Sequence, residues 1–326
     1  VPPRLLALRP ASVVTRLAPR NGACPIALRD LLGPALRLGL TLPLVRAPYF
    51  GVARAALVAA KETQSALGLA LPPGVPPEPW FRQVTAAADE VAFGLPIFLS
   101  GEVAFRGGAE PDVEAAVAAA WELVEAGLTH VALDAAAVPA GSRAAALAAA
   151  ARGPAERGVS LDLVLPIEGA GEAPALVSAL AGAGLEVDLV SVRCPAPADA
   201  AGARAQLRRA VETCAALRGL PVLRRGPLHA ALLDLLRGSP VAACEDGGAA
   251  SDAASSLVPW ELIDHGEAPE SRAPALERAA AELSDEGVDR LEARAYVEVA
   301  HLVERLGAAG SAPRLSEALE RALGEG

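Results

Sequence analysis

The stretch Asp112–Pro139 reads DVEAAVAAAWELVEAGLTHVALDAAAVP. Val113, Val117, Trp121 and Val124 recur at helical spacing, Glu110 and Pro111 mark a start, and Gly127 marks a stop. The first half is therefore one amphipathic helix. THVALD follows directly, a short apolar run with no room for a second helix, closed by a lone carboxylate at Asp134. That is a buried strand. Helix, glycine, strand and a polar residue at the strand's C-terminal end form the repeating unit of a parallel α/β protein.

The unit repeats in both directions. Upstream lie the strand candidates TLPLVRAP, LGLALP (closed by the turn Pro72–Gly74) and LPIFLSGEV; downstream lie VSLDLVLP, LEVDLVSVRC, LPVLRRG and SPVAACEDG. Helical patterns separate them, and Gly127, Gly158, Gly184, Gly219 and Gly238 stand where a helix must end before a strand. Eight strand-helix units of similar size and polarity favour a closed (β/α)8 TIM barrel over an open doubly wound sheet. The expected division is an N-terminal arm (1–24), the barrel (25–266) and a C-terminal helical extension (267–326) packed on the barrel or on a partner subunit. The arm, with Arg4, Arg9, Arg16 and Arg20 spread along it, is expected to pack on a neighbouring subunit, a sorting role being the alternative. A helix from Pro25 to Leu40 is expected to plug or flank the barrel. In the extension, helices are expected at Pro274–Leu283, Asp289–Leu306 and Arg314–Leu323.

The 326 residues are 52% hydrophobic, enough for a large core. A formal charge of −10 and a pI near 5.1 leave no broad basic field for phosphate backbones or anionic lipid, so neither nucleic acid nor membrane is an expected partner. Cys24, Cys194, Cys214 and Cys244 form no CxxC pair, which fits buried thiols in a reducing cytoplasm. A mean hydropathy of +0.34 points to apolar surface covered by a second copy, so a homo-oligomer is expected.

GLTHVALDAAAVP resembles the stretch GFTSVMIDGSHLP of the class II fructose-bisphosphate aldolase (ketose-bisphosphate aldolase) family, with Gly127, Thr129, Val131, Asp134 and Pro139 in register. RDLLGPALRLGL is similar to that family's opening helix, AAKETQSALGLAL to its first helix and second strand, GLPIFLSGEV to its third strand, ERGVSLDLVLP to its fifth and LVERLGAAGSA to its closing helix. The resemblance spans most of residues 25–311 and implies a zinc-dependent carbon-carbon lyase acting on a phosphorylated sugar.

The family's site residues are replaced. Its third-strand HLDHG aligns the proton-transfer aspartate with Glu102 and a zinc histidine with Val103, which cannot ligate a metal. The serine after the fourth strand's aspartate is Ala136, and the fifth strand's glutamate is Val164. The zinc histidine of the sixth strand falls in VRCPAPA, and the seventh strand's HGGSG falls at RRGPL, offering Arg225 and Gly226. The phosphate-cradling turn of the last strand has become CEDGG. Of the four histidines, His130 is expected at the barrel end opposite the mouth and His265 and His301 in the tail; only His229, just past the seventh strand, is placed to see the site, and it is read as structural or helix-capping. Lys61 is read as a solvated helix residue, so no Schiff-base route opens.

Strand C-terminal ends build a barrel's mouth, which here would hold Ser100, Glu102, Asp134, Glu168, Arg193, Cys194, Arg224, Arg225, Cys244, Glu245 and Asp246. Two readings follow. In one, the chain is a non-catalytic aldolase-like barrel with no metal and no cofactor, its arginines pairing with neighbouring carboxylates, and serves as a structural or assembly subunit or binds an anionic metabolite. In the other it is a divergent lyase or isomerase of a phosphorylated sugar, with Glu102 and Asp134 as acid and base and with Arg193, Arg224, Arg225, Gly226 and the helix-capping Ser251 as the phosphate site.

Overall fold

The computed structural model describes residues 3–17, 21–48, 50–218, 220–246, 248–249 and 278–324. Two short helices, α1 (Pro3–Leu6) and α2 (Ala11–Arg16), and a two-residue strand, β1 (Cys24–Pro25), precede helix α3 (Leu28–Arg37). Strand and helix then alternate: β2 (Leu42–Arg46), α4 (Phe50–Glu62), β3 (Leu67–Ala70), α5 (Pro77–Glu90), β4 (Pro96–Ala104), α6 (Glu110–Ala126), β5 (His130–Asp134) and α7 (Ala140–Glu156). The series continues with β6 (Ser160–Pro166), α8 (Ala173–Gly182), β7 (Leu189–Arg193), α9 (Ala200–Ala216), β8 (Val222–Arg225), α10 (Ala230–Leu236) and β9 (Val241–Glu245). Helices α11 (Asp285–Arg305) and α12 (Ser311–Gly324) complete the described chain.

Strands β2 to β9 pair in parallel in chain order, and β9 returns to β2 with Ala243, Cys244 and Glu245 opposite Leu42, Pro43 and Leu44. The result is the closed (β/α)8 barrel with C-terminal helices. The deciding unit is as read: α6 ends on Gly127 at φ 101°, where an added Cβ would also meet the Phe81 ring at 2.7 Å, and β5 follows.

Alternation along each strand sorts the core into two layers. Outward residues such as Val45, Leu69, Leu99, Val131, Leu161 and Val190 form the main apolar cluster with the surrounding helices. Inward residues near the strand starts, among them Leu44, Phe98, Leu189 and Leu223, join Leu28, Leu31, Leu32 and Ala35 of α3. Helix α3 thus stops the barrel at the end opposite its mouth, and its Arg29 N–H donates to Ser160 Oγ at 2.8 Å. It starts later than the sequence pattern implies because Pro25 pairs with Ile97 as part of β1.

The arm's described residues pack on the chain's own barrel: Leu5 lies in the α3 cluster, and Val13 and Leu17 lie in the outer one. In the tail, α11 starts at Asp285 rather than Asp289. Ser284 accepts a hydrogen bond from Gly287 N at 3.2 Å, and Asp285 and Glu286 in the first turn suit the helix dipole. This helix lies on α4, where Arg54 bonds Glu90 at 2.9 Å and also Glu292, and Tyr296 bonds Glu62. Residues 278–281 are helical and 282–283 are not, while 274–277 of the expected helix and the 266/267 boundary lie outside the described residues. No helix among the described residues is long and apolar enough to cross a membrane.

Candidate functional site: a charge-filled barrel mouth

Above the apolar floor the inward positions turn polar. Ser100 and Glu102 come from β4, His130 and Asp134 from β5, Asp162 from β6, Ser191 and Arg193 from β7, Arg225 from β8, Glu245 from β9 and Arg46 from β2. In the deeper tier, Ser100 Oγ and His130 Nδ1 are 2.9 Å apart, and the His130 ring stands edge-on to Phe98. Asp162 Oδ2 accepts from Ser191 Oγ at 2.5 Å and from Arg225 Nη2 at 3.1 Å, while Arg225 Nε donates to Ser191 Oγ at 2.8 Å. His130 Nε2 is 3.3 Å from Asp162 Oδ2, yet it is not aligned for a hydrogen bond. Asp162 Oδ1 likewise has no partner among the described residues.

The upper tier is a set of ion pairs. Arg193 Nη2 donates to both Glu102 Oε1, at 2.5 Å, and Asp134 Oδ2, at 3.0 Å. Arg46 Nη2 donates to Glu245 Oε1 at 2.6 Å. Arg225 Nη1 lies between the two groups, 3.7 Å from Glu102 Oε2 and 3.8 Å from Glu245 Oε2. Four carboxylates thus face three guanidiniums. Buried Asp246, which accepts from the backbone N–H groups of Arg46 and Gly248, adds a fifth carboxylate. With His130 neutral, Glu102, Asp134, Asp162 and Glu245 outnumber the three guanidiniums among the described residues. A cavity of about 340 Å³ opens beside the pairs, walled on its far side by Leu71, Pro72, Pro73 and Val75.

Burial and pairing set the titration of this cluster. Burial alone would raise the Asp162 and Glu245 carboxyls, but His130 and Arg225 around Asp162, and Arg46 and Arg225 around Glu245, hold both below their ordinary values of 3.8 and 4.5. Burial lowers His130 below its ordinary 6.5. A carboxylate depressed in the fold contributes stability above its unfolded pKa and loses it as pH falls through the folded value. A histidine depressed in the fold contributes fully above 6.5 and loses that contribution as the unfolded chain gains its proton. Asp30 and Asp188, raised by burial, act in the opposite sense near pH 4. The urea midpoint is therefore expected to fall first below pH 6.5 and more steeply below about 4.5. His130→Gln should flatten the limb between pH 6.5 and 5; a limb that survives it would assign that loss elsewhere.

The structure brings Glu102, Asp134, Arg193, Arg225 and Glu245 together, and it places Ser100 and Asp246 beside them. It sends others away. Arg224 lies on the outer face of β8, buried, with Nη1 donating to Gly226 O at 2.8 Å and Nη2 to Pro227 O at 2.7 Å and Gln206 Oε1 at 3.2 Å. Gly226 serves packing, since a Cβ there would sit 2.2 Å from the Cys194 carbonyl oxygen. Glu168 is exposed in a groove with Arg209 and Glu212 of α9. Cys244 lies in the outer core layer, its thiol pushed up to about 12 by burial, and all four cysteines are free. Ser251 and His265 lie outside the described residues. His229 caps α10, its Nδ1 accepting from Ala231 N at 3.1 Å, and Lys61 donates to Val91 O from the exposed side of α4.

Three members of the network escaped the sequence reading: Arg46, Asp162 and Ser191. The signal for Asp162 was its spacing, two residues after Ser160 in SLDLVL, which puts both on the inward face. His130 also differs from expectation, because its side chain bonds Ser100 and lies beside Asp162 in the deeper tier.

The zinc site that the aldolase resemblance implies does not fit these residues. Val103 belongs to the outer apolar layer, and among the described residues no three His, Cys, Asp or Glu side chains gather as metal ligands.

Fold and mouth together define a (β/α)8 barrel whose open end is filled by its own ion pairs. No protein-family model matches the chain, and no curated protein matches it in sequence. Among solved structures it is similar to the YdjI aldolase from Escherichia coli K12, with a TM-score of 0.60, 12% identity and coverage of 87% of this chain and 98% of that one. It is also similar to a protein assigned as a fructose-1,6-biphosphate aldolase from Coccidioides immitis, with a TM-score of 0.57, 12% identity and coverage of 93% and 99%. A protein assigned as a tagatose 6-phosphate kinase from Sinorhizobium meliloti 1021 follows at a TM-score of 0.50, 19% identity and coverage of 84% and 86%. At these identities the likeness is one of fold.

Proposed function

We propose that this chain is a non-catalytic aldolase-like barrel that serves as a structural or assembly subunit. The observation that carries the reading is Arg193 Nη2 bonded at once to Glu102 and Asp134, the two groups that the lyase reading uses as acid and base. A carboxylate bonded to a permanent cation is a poor base, and its donor-acceptor geometry is already spent. The excess of carboxylates around the arginines also works against the anionic-metabolite reading, because a phosphate would enter a mouth whose cations are compensated. Assembly with a second copy is supported by composition; the exposed large apolar side chains among the described residues, Val14, Leu235, Val297 and Leu323, lie on different elements. Elemental analysis of the purified chain, with light scattering at micromolar concentration, tests the proposal. No stoichiometric zinc and a mass of at least two chains are expected; bound zinc or a monomer counts against it. The lyase reading predicts instead that Glu102→Gln abolishes an activity while leaving the fold intact.

A further inference from the structure

The disagreement between this mouth and a metal-dependent one has a specific form: among the described residues no histidine donors gather with the carboxylates, and a guanidinium stands between two of them. Glu102 on β4 and Asp134 on β5 each direct one carboxylate oxygen to within 3.0 Å of a single nitrogen, Arg193 Nη2, which reaches across from β7. Two carboxylate oxygens that share one point repel each other unless a cation holds it. Hard divalent ions such as Mg²⁺ and Mn²⁺ settle at such points with one or two carboxylates, water completing the shell. Here Glu102 and Asp134 are 26% and 15% exposed, and the cavity beside Glu102 and Arg193 gives access to an ion and its waters. We infer that Arg193 is a tethered cation that occupies a two-carboxylate position and closes the barrel mouth to divalent ions.

The inference rests on the reading of the mouth as self-filled, but it is tested separately. Mn²⁺ is titrated calorimetrically into the full native chain, Arg193→Gln, Arg193→Lys and Arg193→Gln/Asp134→Asn. Arg193→Gln is expected to bind one Mn²⁺ at least about tenfold more tightly than the native chain. The lysine variant, which keeps a cation, should resemble the native chain, as should the double variant, which loses a carboxylate. Should Arg193→Gln fail to fold in metal-free buffer, millimolar Mn²⁺ is expected to restore its circular dichroism; failure to restore it overturns the inference. Native binding as tight as the Gln variant, or a Gln variant no tighter than native, overturns it too. Native Mn²⁺ binding as tight as the Gln variant's, without cleavage of a ketose bisphosphate, defeats this inference alone, whereas cleavage defeats the non-catalytic reading.

Discussion

Replacing Arg225 by methionine is expected to destabilise the chain by about 3–5 kcal/mol, the usual range when one partner of a buried ion pair is removed. The Arg225 side chain is 2% exposed and is the only described group that touches both tiers of the mouth. Without it, Asp162 and Glu245, both fully or nearly fully buried, keep their charge with fewer partners. The penalty comes from the stranded charges rather than from the lost attraction. Arg225→Met/Asp162→Asn should therefore recover part of the loss, because it neutralises one of them. Arg193→Met, at a position 39% exposed, should cost no more than about 1 kcal/mol. Urea unfolding of the three variants checks this; a loss below about 1 kcal/mol for Arg225→Met would mean that the mouth contributes little to the fold.

Gly226→Ala is expected to cost on the order of 2–6 kcal/mol, combining overpacking with a strained backbone. Gly226 has φ 107°, and its missing Cβ would overlap the Cys194 carbonyl oxygen at 2.2 Å. Neither atom can step aside, since Cys194 N is itself bonded to Arg225 O at 2.9 Å where β7 and β8 end. A methyl there pries apart the two strand ends that carry Arg193 and Arg225. Gly184→Ala is the control: its φ of 76° is also left-handed, but nothing lies within 4 Å of the added Cβ, so about 1–2 kcal/mol is expected. Calorimetric melts compare the two. Equal losses would contradict the close-approach argument.

The barrel was legible because parallel strands buried on both faces read as unbroken apolar runs, and helix ends before them carry glycine. Gly127, Gly158, Gly184 and Gly238 all have positive φ. The mouth was legible only in part, for reasons of geometry. In the four-residue strand Val222–Arg225, two consecutive arginines must point to opposite faces, and flanking residues that are apolar on both sides do not say which points inward. His130 begins its strand, so it was expected far from the mouth. Barrel strands are staggered, however, and β5 starts opposite the fifth residue of β4, with His130 beside Ser100. Asp162 sits mid-strand, where strand-end reasoning does not look, and Arg225 meets it by reaching down from the strand end.

We propose that this chain, a (β/α)8 barrel similar in fold to aldolases, uses its own arginines to occupy the carboxylates that proton transfer would need free. Cleavage of ketose bisphosphates by the purified native chain, assayed with and without added Zn²⁺, tests it most directly. No turnover above the uncatalysed background is expected under either condition. Zinc-dependent release of triose phosphate, lost again in Glu102→Gln, would contradict it.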